Sequence, residues 1–406
     1  MGKAVKFWDL IEKAKNFPKF PGTKYKAPGP MIHGGFPSAF NMSFAWNEWI
    51  NEENQEVQYI DFTGNNTFSK YQPCIRHQDL ESIISNKPNK YRYLSYFHMA
   101  DVSGFIAEEG IKNKEKAEKF AIKSLLDFYK EIGLDLKKVH PVYLSGGTVK
   151  ELTEGKYNFD FEVPQDPYYQ YWIDNGILKE NMIPDKSRDT FLALRNYYRP
   201  SPWGYRNEVL YEHNGKLLDI STIEFLRWEP VFDEEMKIIN LKPYNHIVTA
   251  SAIGVERILM ALNGFKDIRE IDLVKPLYDL MKKEYPKMKE YKADSLIQSL
   301  RAVQSIVADG GRWKNLNSRR REIVRMMYFQ IIDTISEEEI IFSSIKKLLS
   351  LNAELLKNEK MKESQDDVLE EIKERIESNA KNKHLPAEKR FQSRDILKKL
   401  QEEYDY

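Results

Sequence analysis

Cysteine is almost missing from this sequence: Cys74 is the one cysteine in 406 residues. A single thiol excludes an internal disulfide framework and a cysteine-based zinc site. Histidine is scarce too, with 7 in the chain. No two of them stand at a metal-ligand spacing, so no zinc is expected. Net charge is also lacking. The 62 basic and 62 acidic residues cancel, so local patches must decide for or against a nucleic-acid partner. No stretch is long and apolar enough to span a bilayer, and no membrane partner is expected. The opening Met1-Gly2-Lys3-Ala4 has no apolar signal core, and Lys6 stands where a myristoylation pattern needs Ser or Thr. These absences point to a reducing, cytoplasmic setting. There is no internal repeat and no low-complexity segment. The length suits two or three domains.

What is present reads in order along the chain. Phe7, Leu10 and Ile11 predict a helix over 7–15. Residues 17–41, rich in Pro, Gly and aromatics, read as a long ordered loop, either an arm or a wall of a site. Val57–Phe62 alternates like a strand and runs into the turn Thr63-Gly64-Asn65-Asn66. Tyr91–Phe97 reads as a second β run, with Arg92, Leu94 and Tyr96 on one face. Ala117, Phe120, Ala121, Leu125 and Phe128 recur at helical spacing over 114–132, and Gly133 stops that helix. Strand-like pieces follow at 140–144 and 157–163, and 165–187 is irregular. Asn214-Gly215 between alternating runs is a strong hairpin signal. A strand near Ile247-Val248-Thr249 leads into a helix at 255.

From about 270, Lys, Glu, Leu and Ile dominate. Helices are expected at 293–308 and 318–334. Ser336-Glu337-Glu338-Glu339 reads as a capping box that opens another helix to about 357. Charged helices at 365–380 and 392–404 flank Leu385-Pro386. The fold class is therefore α+β. A mixed domain over 1–264 precedes an all-helical one over 265–406, with the boundary near Gly264.

Four stretches could carry chemistry. In Gly254-Val255-Glu256-Arg257 a glycine lets the backbone turn into a helix whose first turn holds an arginine. That arginine could hold a phosphate, or Glu256 and Arg257 could be ordinary surface charges. In the hairpin, a two-residue loop sets His213 opposite Lys216, Leu210 opposite Asp219 and Glu208 opposite Ser221. Alternation then puts Glu208, Leu210, Asp219 and Ser221 on one face. Two carboxylates on one face need solvent or a cation, and magnesium takes such ligands. Arg92, among aromatics, needs an anion, either a ligand phosphate or carboxylate, or Asp79 or Glu81 within the chain. Trp203-Gly204-Tyr205-Arg206 could line a pocket or fill the core. A basic run, Arg312, Lys314, Arg319, Arg320, Arg321 and Arg325, suits RNA or a solvated helix face with internal ion pairs.

Taken together, the motifs resemble a known family. Cys74-Ile75-Arg76-His77-Gln78-Asp79-Leu80-Glu81, the stretch Arg92–Phe105, the stretch Pro202–Glu212 and the Gly254–Arg257 turn follow, in order and spacing, the catalytic core of the alanyl-tRNA synthetase family. Ile306–Gly310 and Asn315–Arg319 are similar to its tRNA-recognising segment. The resemblance covers roughly residues 50–330. It implies a class II synthetase-like antiparallel sheet flanked by helices, ATP and Mg2+ as cofactors, and an acyl-adenylate intermediate. It further implies that Arg92 meets the α-phosphate and Arg257 the far end of ATP. Arg76, Asp79 and Phe105 would line the nucleotide side, while Glu208 and Asp219 would help hold magnesium. Leu192, Thr222 and Ala250 would form the substrate pocket. Asn317, Arg319, Arg320, Arg321 and Arg325 would meet tRNA.

The departures from that pattern concern the substrate. The family places an aspartate before the glycine turn, where it takes the substrate's amino group. This chain has Ala250 there, and no carboxylate from Thr249 to Ile253. Leu192 replaces a pocket tryptophan, Thr222 an asparagine and His98 the motif 2 glutamate. A glycine-rich insert between Arg76 and His77 is missing. The zinc-binding editing domain and the C-terminal oligomerisation region have no counterpart. The expected function is ATP-dependent activation of an amino acid or related carboxylate, with transfer to tRNA. The alternatives are adenylation for a non-tRNA acceptor and a non-catalytic nucleotide- or RNA-binding module.

Overall fold

The computed structural model describes residues 4–17, 24–25, 31, 68–69, 71–84, 87, 90–107, 111–193, 202–244 and 247–382. The strand expected at Val57–Phe62, its turn, most of the 17–41 loop and the helix expected at 392–404 lie outside them. The protein is α+β, with a nine-stranded, mostly antiparallel sheet and a helical C-terminal region. The chain divides into two compact units. The first holds the helix at 7–16 and the described residues from His98 to Lys266. The second holds those from Pro73 to Phe97 and from Asp267 onward.

In chain order the sheet strands are β1 (Tyr71–Ile75), β2 (Tyr96–Ala107), β3 (Val139–Leu144), β4 (Ile183–Asp185), β5 (Phe191–Leu192), β6 (Trp203–His213), β7 (Lys216–Phe232), β8 (Ile238–Pro243) and β9 (Ile247–Gly254). Their spatial order is β1-β2-β9-β7-β6-β3-β4, with β8 paired to β7 and β5 to β6. β3 and β4 run parallel. The long hairpin β6–β7 is the middle of the sheet, and β9 pairs antiparallel with β7.

The first unit has three longer helices, α1 (Phe7–Asn16), α2 (Ile111–Ile132) and α3 (Val255–Asn263). α2 places Ala117, Ala121, Leu125 and Phe128 in the core at the spacing the sequence shows, and Gly133 ends it with φ +91°. Only a residue tolerant of left-handed backbone suits that stop. α1 is anchored to the end of α3. Asn263 accepts the Val5 N–H at 2.8 Å and donates to the Val5 carbonyl at 2.9 Å. Trp203 and Tyr205 are buried and pack against Tyr157, Phe191 and Trp228, so they fill the core. Gly204 between them has no room for a side chain: a Cβ there would lie 1.9 Å from the Phe225 carbonyl oxygen.

Two expected strands differ from the sequence reading. Of 157–163 only Glu162–Val163 is extended. Within 91–97, Lys90–Arg92 is a single 3-10 turn and the strand begins at Tyr96. Tyr and Phe favour strands, but tertiary contacts override propensity. The Tyr96 N–H donates to Gln298 at 3.4 Å, and its carbonyl accepts from Arg301 at 3.2 Å.

The second unit is built around α5. Its longer C-terminal helices are α4 (Lys275–Glu284), α5 (Glu290–Ala308), α6 (Ser318–Glu337), α7 (Phe342–Leu355) and α8 (Gln365–Lys381). α5 is buried continuously from Asp294 to Val307. Several of its polar residues are hydrogen-bonded within the core. Gln304 donates to the Leu349 and Met361 carbonyls, and Asn352 donates to Gln304 at 2.8 Å. Ser336 does not open a helix. α6 runs through it to Glu337, Glu339 takes φ +52°, and α7 starts at Phe342 without a side-chain cap. Lys292 pairs with Glu337 at 2.6 Å and Glu338 at 2.8 Å, a distant partner that the local pattern cannot reveal. Among the described residues no helix is long and apolar enough to cross a membrane.

Between α2 and the sheet lies a buried charge network. Glu118, 0% exposed, accepts from Tyr168 and Arg227. Lys114 donates to the Tyr244 carbonyl at 3.0 Å. Asp166 accepts from Asn207 at 2.7 Å. Burial lifts the Glu118 carboxyl from 4.5 to about 7 even with Arg227 beside it, and lowers Lys114 from 10.5 to about 8. The raised carboxyl holds its proton more tightly folded than unfolded. Its contribution is full below about 4.5 and is lost as pH rises through about 7. Lys114 works oppositely: its contribution is present above 10.5 and lost as pH falls through about 8. Glu118→Gln removes the first dependence and, by taking away a charge that raises Lys114, extends the second toward lower pH. Between pH 4.5 and 7 the unfolding free energy of the wild type should fall relative to that variant, by at most about 3 kcal/mol. Urea titrations at several pH values measure it, and parallel curves would refute it.

Candidate active site

The hairpin turns where the sequence placed it. Asn214 and Gly215 take φ +51° and +71°, His213 pairs with Lys216, and Leu210 with Asp219. Beyond that the register slips. Val209 pairs with Ser221 and Glu208 with Thr222, because Ile220 is an extra residue in β7. Such a bulge reverses the alternation of everything after it. The expected Glu208–Ser221 pairing is therefore replaced by Glu208–Thr222. Ser221 turns into the core, where its hydroxyl accepts from Tyr129 of α2 at 2.6 Å. Glu208, Leu210 and Asp219 still share the opposite face, now with Thr222 in place of Ser221.

Cross-strand register then arranges this face in rows. One row reads Arg206, Glu224, Ala250, Gly104 across β6, β7, β9 and β2. The next reads Glu208, Thr222, Ala252, Asp101. Leu210 and Asp219 form a third, shorter row. Leu192 is buried and pairs with Gly204, two residues along β6 from Arg206. The face thus brings together Glu208, Asp219, Thr222 and Ala250. Phe105 stands opposite Thr249, and its side chain lies outside the described residues.

Electrostatics distinguish the members. Arg206 lies 3.1 Å from Glu208 and donates its Nε–H to the Asp189 carbonyl at 2.8 Å. Arg257, in the first turn of α3, donates to the Asp219 carboxylate at 2.6 Å and its carbonyl at 3.2 Å. Glu224 is half-buried. Burial pushes its carboxyl above the usual range, and nearby Arg206 pulls it back. No hydrogen bond or ion pair reaches Glu224 from the described residues. The buried Thr222 hydroxyl likewise has no hydrogen-bond partner among the described residues.

Glu256 and Arg257 are not ordinary surface charges. Glu256 is 2% exposed and accepts the His98 N–H at 2.9 Å, with its other oxygen 2.7 Å from His98 Nδ1. His98 thus has a structural partner in the adjoining helix. Nor does Gly254 supply a special turn. Its φ is −79°, and a Cβ there would meet only the Ile220 carbonyl at 3.6 Å, so any small residue fits.

The other expected residues belong to the second unit. Arg76 lies 3.9 Å from Asp79, its own neighbour one helical turn on. The Arg92 guanidinium lies 5.7 Å from the Tyr93 ring centre. Asn317 caps α6 by accepting the Arg320 N–H. Arg320 is 7% exposed, and Arg321 donates to the Trp313 and Lys314 carbonyls. Lys314, Arg321 and Arg325 are exposed, and the Arg319 side chain lies outside the described residues. Arg312 is held by Asp367, with Glu370 at 3.8 Å and Glu371 at 4.0 Å. A cleft of about 520 Å³ in this unit is lined by Arg269, Lys275, Tyr278, Asp279, Tyr285 and Met288, none of which the sequence singled out. Its Arg269 already meets Asp267, Glu290 and Asp294.

Chemically, the hairpin face offers carboxylates, two held guanidiniums and a hydroxyl with no hydrogen-bond partner among the described residues, on a rigid sheet. Among the described residues no three potential metal ligands cluster. Glu208 and Asp219, with side chains 25% and 38% exposed, are oxygen donors, each already paired with a guanidinium, Arg206 and Arg257. These features define an α+β protein with a charged face on its central hairpin. No family model matches the chain, and no curated protein matches it.

Sequence reasoning missed Glu224. Its signal was the alternation Thr222, Ile223, Glu224, Phe225, read beyond Ser221. The Arg257–Asp219 pair is partly exposed and screened by solvent. A double-mutant cycle with Arg257→Ala and Asp219→Asn should give a small but measurable coupling of about 0.2–1 kcal/mol. Additive effects would mean that the pair does not hold Arg257 in solution.

Proposed function

We propose that this chain is an ATP-dependent ligase that joins a carboxylate substrate to AMP and then passes the acyl group on. The observation that carries this reading is Arg257. Its side chain is 17% exposed, and Asp219 holds it at the head of α3 beside a sheet face that also bears Glu208. A fixed guanidinium there suits a phosphate, and the order and spacing of the synthetase-like motifs supply the rest of the argument.

In the reaction, a substrate carboxylate oxygen attacks the α-phosphorus of ATP in line. An oxygen–phosphorus bond forms, and the bond to the bridging oxygen of pyrophosphate breaks. The attacking carboxylate is already deprotonated at neutral pH, so no general base is required. Alignment and neutralised charge do the work. Arg257 takes the terminal phosphate, as the resemblance implies, and the Asp219 contact keeps it oriented before nucleotide arrives. Glu208 and Asp219 would hold magnesium, which would supply charge neutralisation at the phosphates. In the second step an acceptor hydroxyl attacks the acyl carbon, its proton is lost to solvent, and AMP leaves. The acceptor in this reading is the end of a tRNA. A non-tRNA acceptor is the second reading. It is favoured by Arg312 and Arg320, which are engaged or buried and so leave a thinner basic surface than the sequence suggests.

Arg257→Ala and Arg92→Ala should each reduce pyrophosphate exchange at least tenfold, since a charge-assisted contact contributes about 1.5–3 kcal/mol. Asp219→Asn and Glu208→Gln should shift the magnesium dependence to higher concentration. Wild-type exchange in both arginine variants would sink the nucleotide assignment.

Replacing Lys314, Arg321 and Arg325 by alanine should weaken tRNA binding and flatten its salt dependence by roughly one unit of slope per lost phosphate contact. A gel-shift titration that finds no tRNA binding by the wild type in low salt would make the non-tRNA acceptor the reading to keep.

A further inference from the structure

Glu224 is the one carboxylate on the hairpin face that carries no direct partner among the described residues. Glu208 has Arg206 at 3.1 Å, and Asp219 has Arg257 at 2.6 Å. Asp101, at the far end of the neighbouring row, is 1% exposed and already engaged within the chain. Arg206 stands opposite Glu224 in register, yet its Nε–H goes to the Asp189 carbonyl at 2.8 Å. On the other side of Glu224 the row continues through Ala250 and Gly104, residue types that add almost no bulk. Thr222, two residues away on the same strand face, keeps a buried hydroxyl with no hydrogen-bond partner among the described residues. A half-buried carboxylate near an idle hydroxyl, in a row whose register runs on through Ala250 and Gly104, is a place for a cationic group that can also meet a hydroxyl. A charged group so situated is costly until it is paired.

We propose that Glu224 is a specificity-determining residue that receives the substrate's ammonium group, with Thr222 as a second hydrogen-bonding partner. This rests on the adenylation reading above and identifies its substrate as a carboxylic acid bearing an amine close to the carboxyl. The negative charge missing at Ala250 is then supplied from the next strand, directly across the ladder. A carboxylate in β7 occupies the row from the other side, so an amine-bearing substrate is accommodated without a carboxylate in β9. Burial that holds the Glu224 carboxyl above its usual range has the same origin, since a charge with no direct partner favours the neutral form. A bound ammonium would reverse that preference.

The test is pyrophosphate exchange by the full chain with each of the twenty standard amino acids. Each is compared with its analogue carrying hydrogen or hydroxyl in place of the amine. Wild type, Glu224→Gln, Asp101→Asn and Thr222→Val are assayed, with circular dichroism to confirm folding. Glu224→Gln should lose at least tenfold in kcat/KM for the amine-bearing substrate and change little for the analogue, and Thr222→Val should show a smaller loss of the same selectivity. Discrimination of this kind is what pairing a buried polar group yields. Exchange that Glu224→Gln impairs equally for both compounds would overturn the proposal while leaving the adenylation reading intact. So would a loss of amine selectivity confined to Asp101→Asn, or wild-type exchange only with acids that lack an amine. No wild-type exchange with any compound would overturn both. If Glu224→Gln fails to fold, Glu224→Asp, which keeps the charge but shortens its reach, takes its place and should raise KM for the amine-bearing substrate alone.

Discussion

The extra residue at Ile220 sets the chemistry of the whole hairpin face. A strand alternates strictly, so one inserted residue exchanges the two faces for every position beyond it. Without the bulge, Thr222 and Glu224 would point at α2 and bury a carboxylate in an apolar layer, while Ile223 and Phe225 would point away from the core. With it, Ser221, Ile223 and Phe225 face α2, where Tyr129 holds Ser221. Glu224 then joins Arg206 and Glu208 on the other face. The bulge lies on the strand flanked by both β6 and β9, so its effect carries across the sheet to Ala250 and Ala252.

The two faces of this sheet handle charge in different ways. On the helix-covered face, Glu118, Lys114 and Asp166 are buried beside the part-exposed Arg227, and each finds a hydrogen-bonding partner. Removing one member leaves another charge uncompensated, which is why such networks are costly to interrupt. On the hairpin face the pairs are partly exposed and screened. Their carboxylates and guanidiniums can therefore exchange an internal partner for a ligand at small cost. The proposed nucleotide site would need charges that are oriented yet replaceable, and Arg257 on Asp219 fits that description.

Much of the fold was legible from local pattern. The helices at 7–16, 111–132, 290–308 and 365–381 follow apolar spacing, and Asn214-Gly215 fixed the hairpin turn because two consecutive positive φ values favour those residues. The misreadings share one cause. Tyr91–Phe97 had strand propensity, and Ser336–Glu339 had the letters of a cap. In each case a residue far away in sequence, Gln298 or Arg301 in one and Lys292 in the other, met the backbone or side chain instead. The bulge escaped notice for a related reason. A single inserted residue leaves both flanking runs looking like strands.

By itself the sequence determined the class of fold, the turn of the hairpin, and the residue types that could carry phosphate and metal chemistry, because these follow from short-range periodicity and from the donors each side chain owns. Which charges already hold a partner was decided only by the tertiary structure. Glu256 became a buried support for His98, Asp219 a clasp for Arg257, Arg320 a buried cation, and Glu224 a carboxylate set in register between Arg206 and Ala250. Pairing depends on cross-strand register and on contacts between residues scores of positions apart, and neither leaves a mark in the local order of the chain.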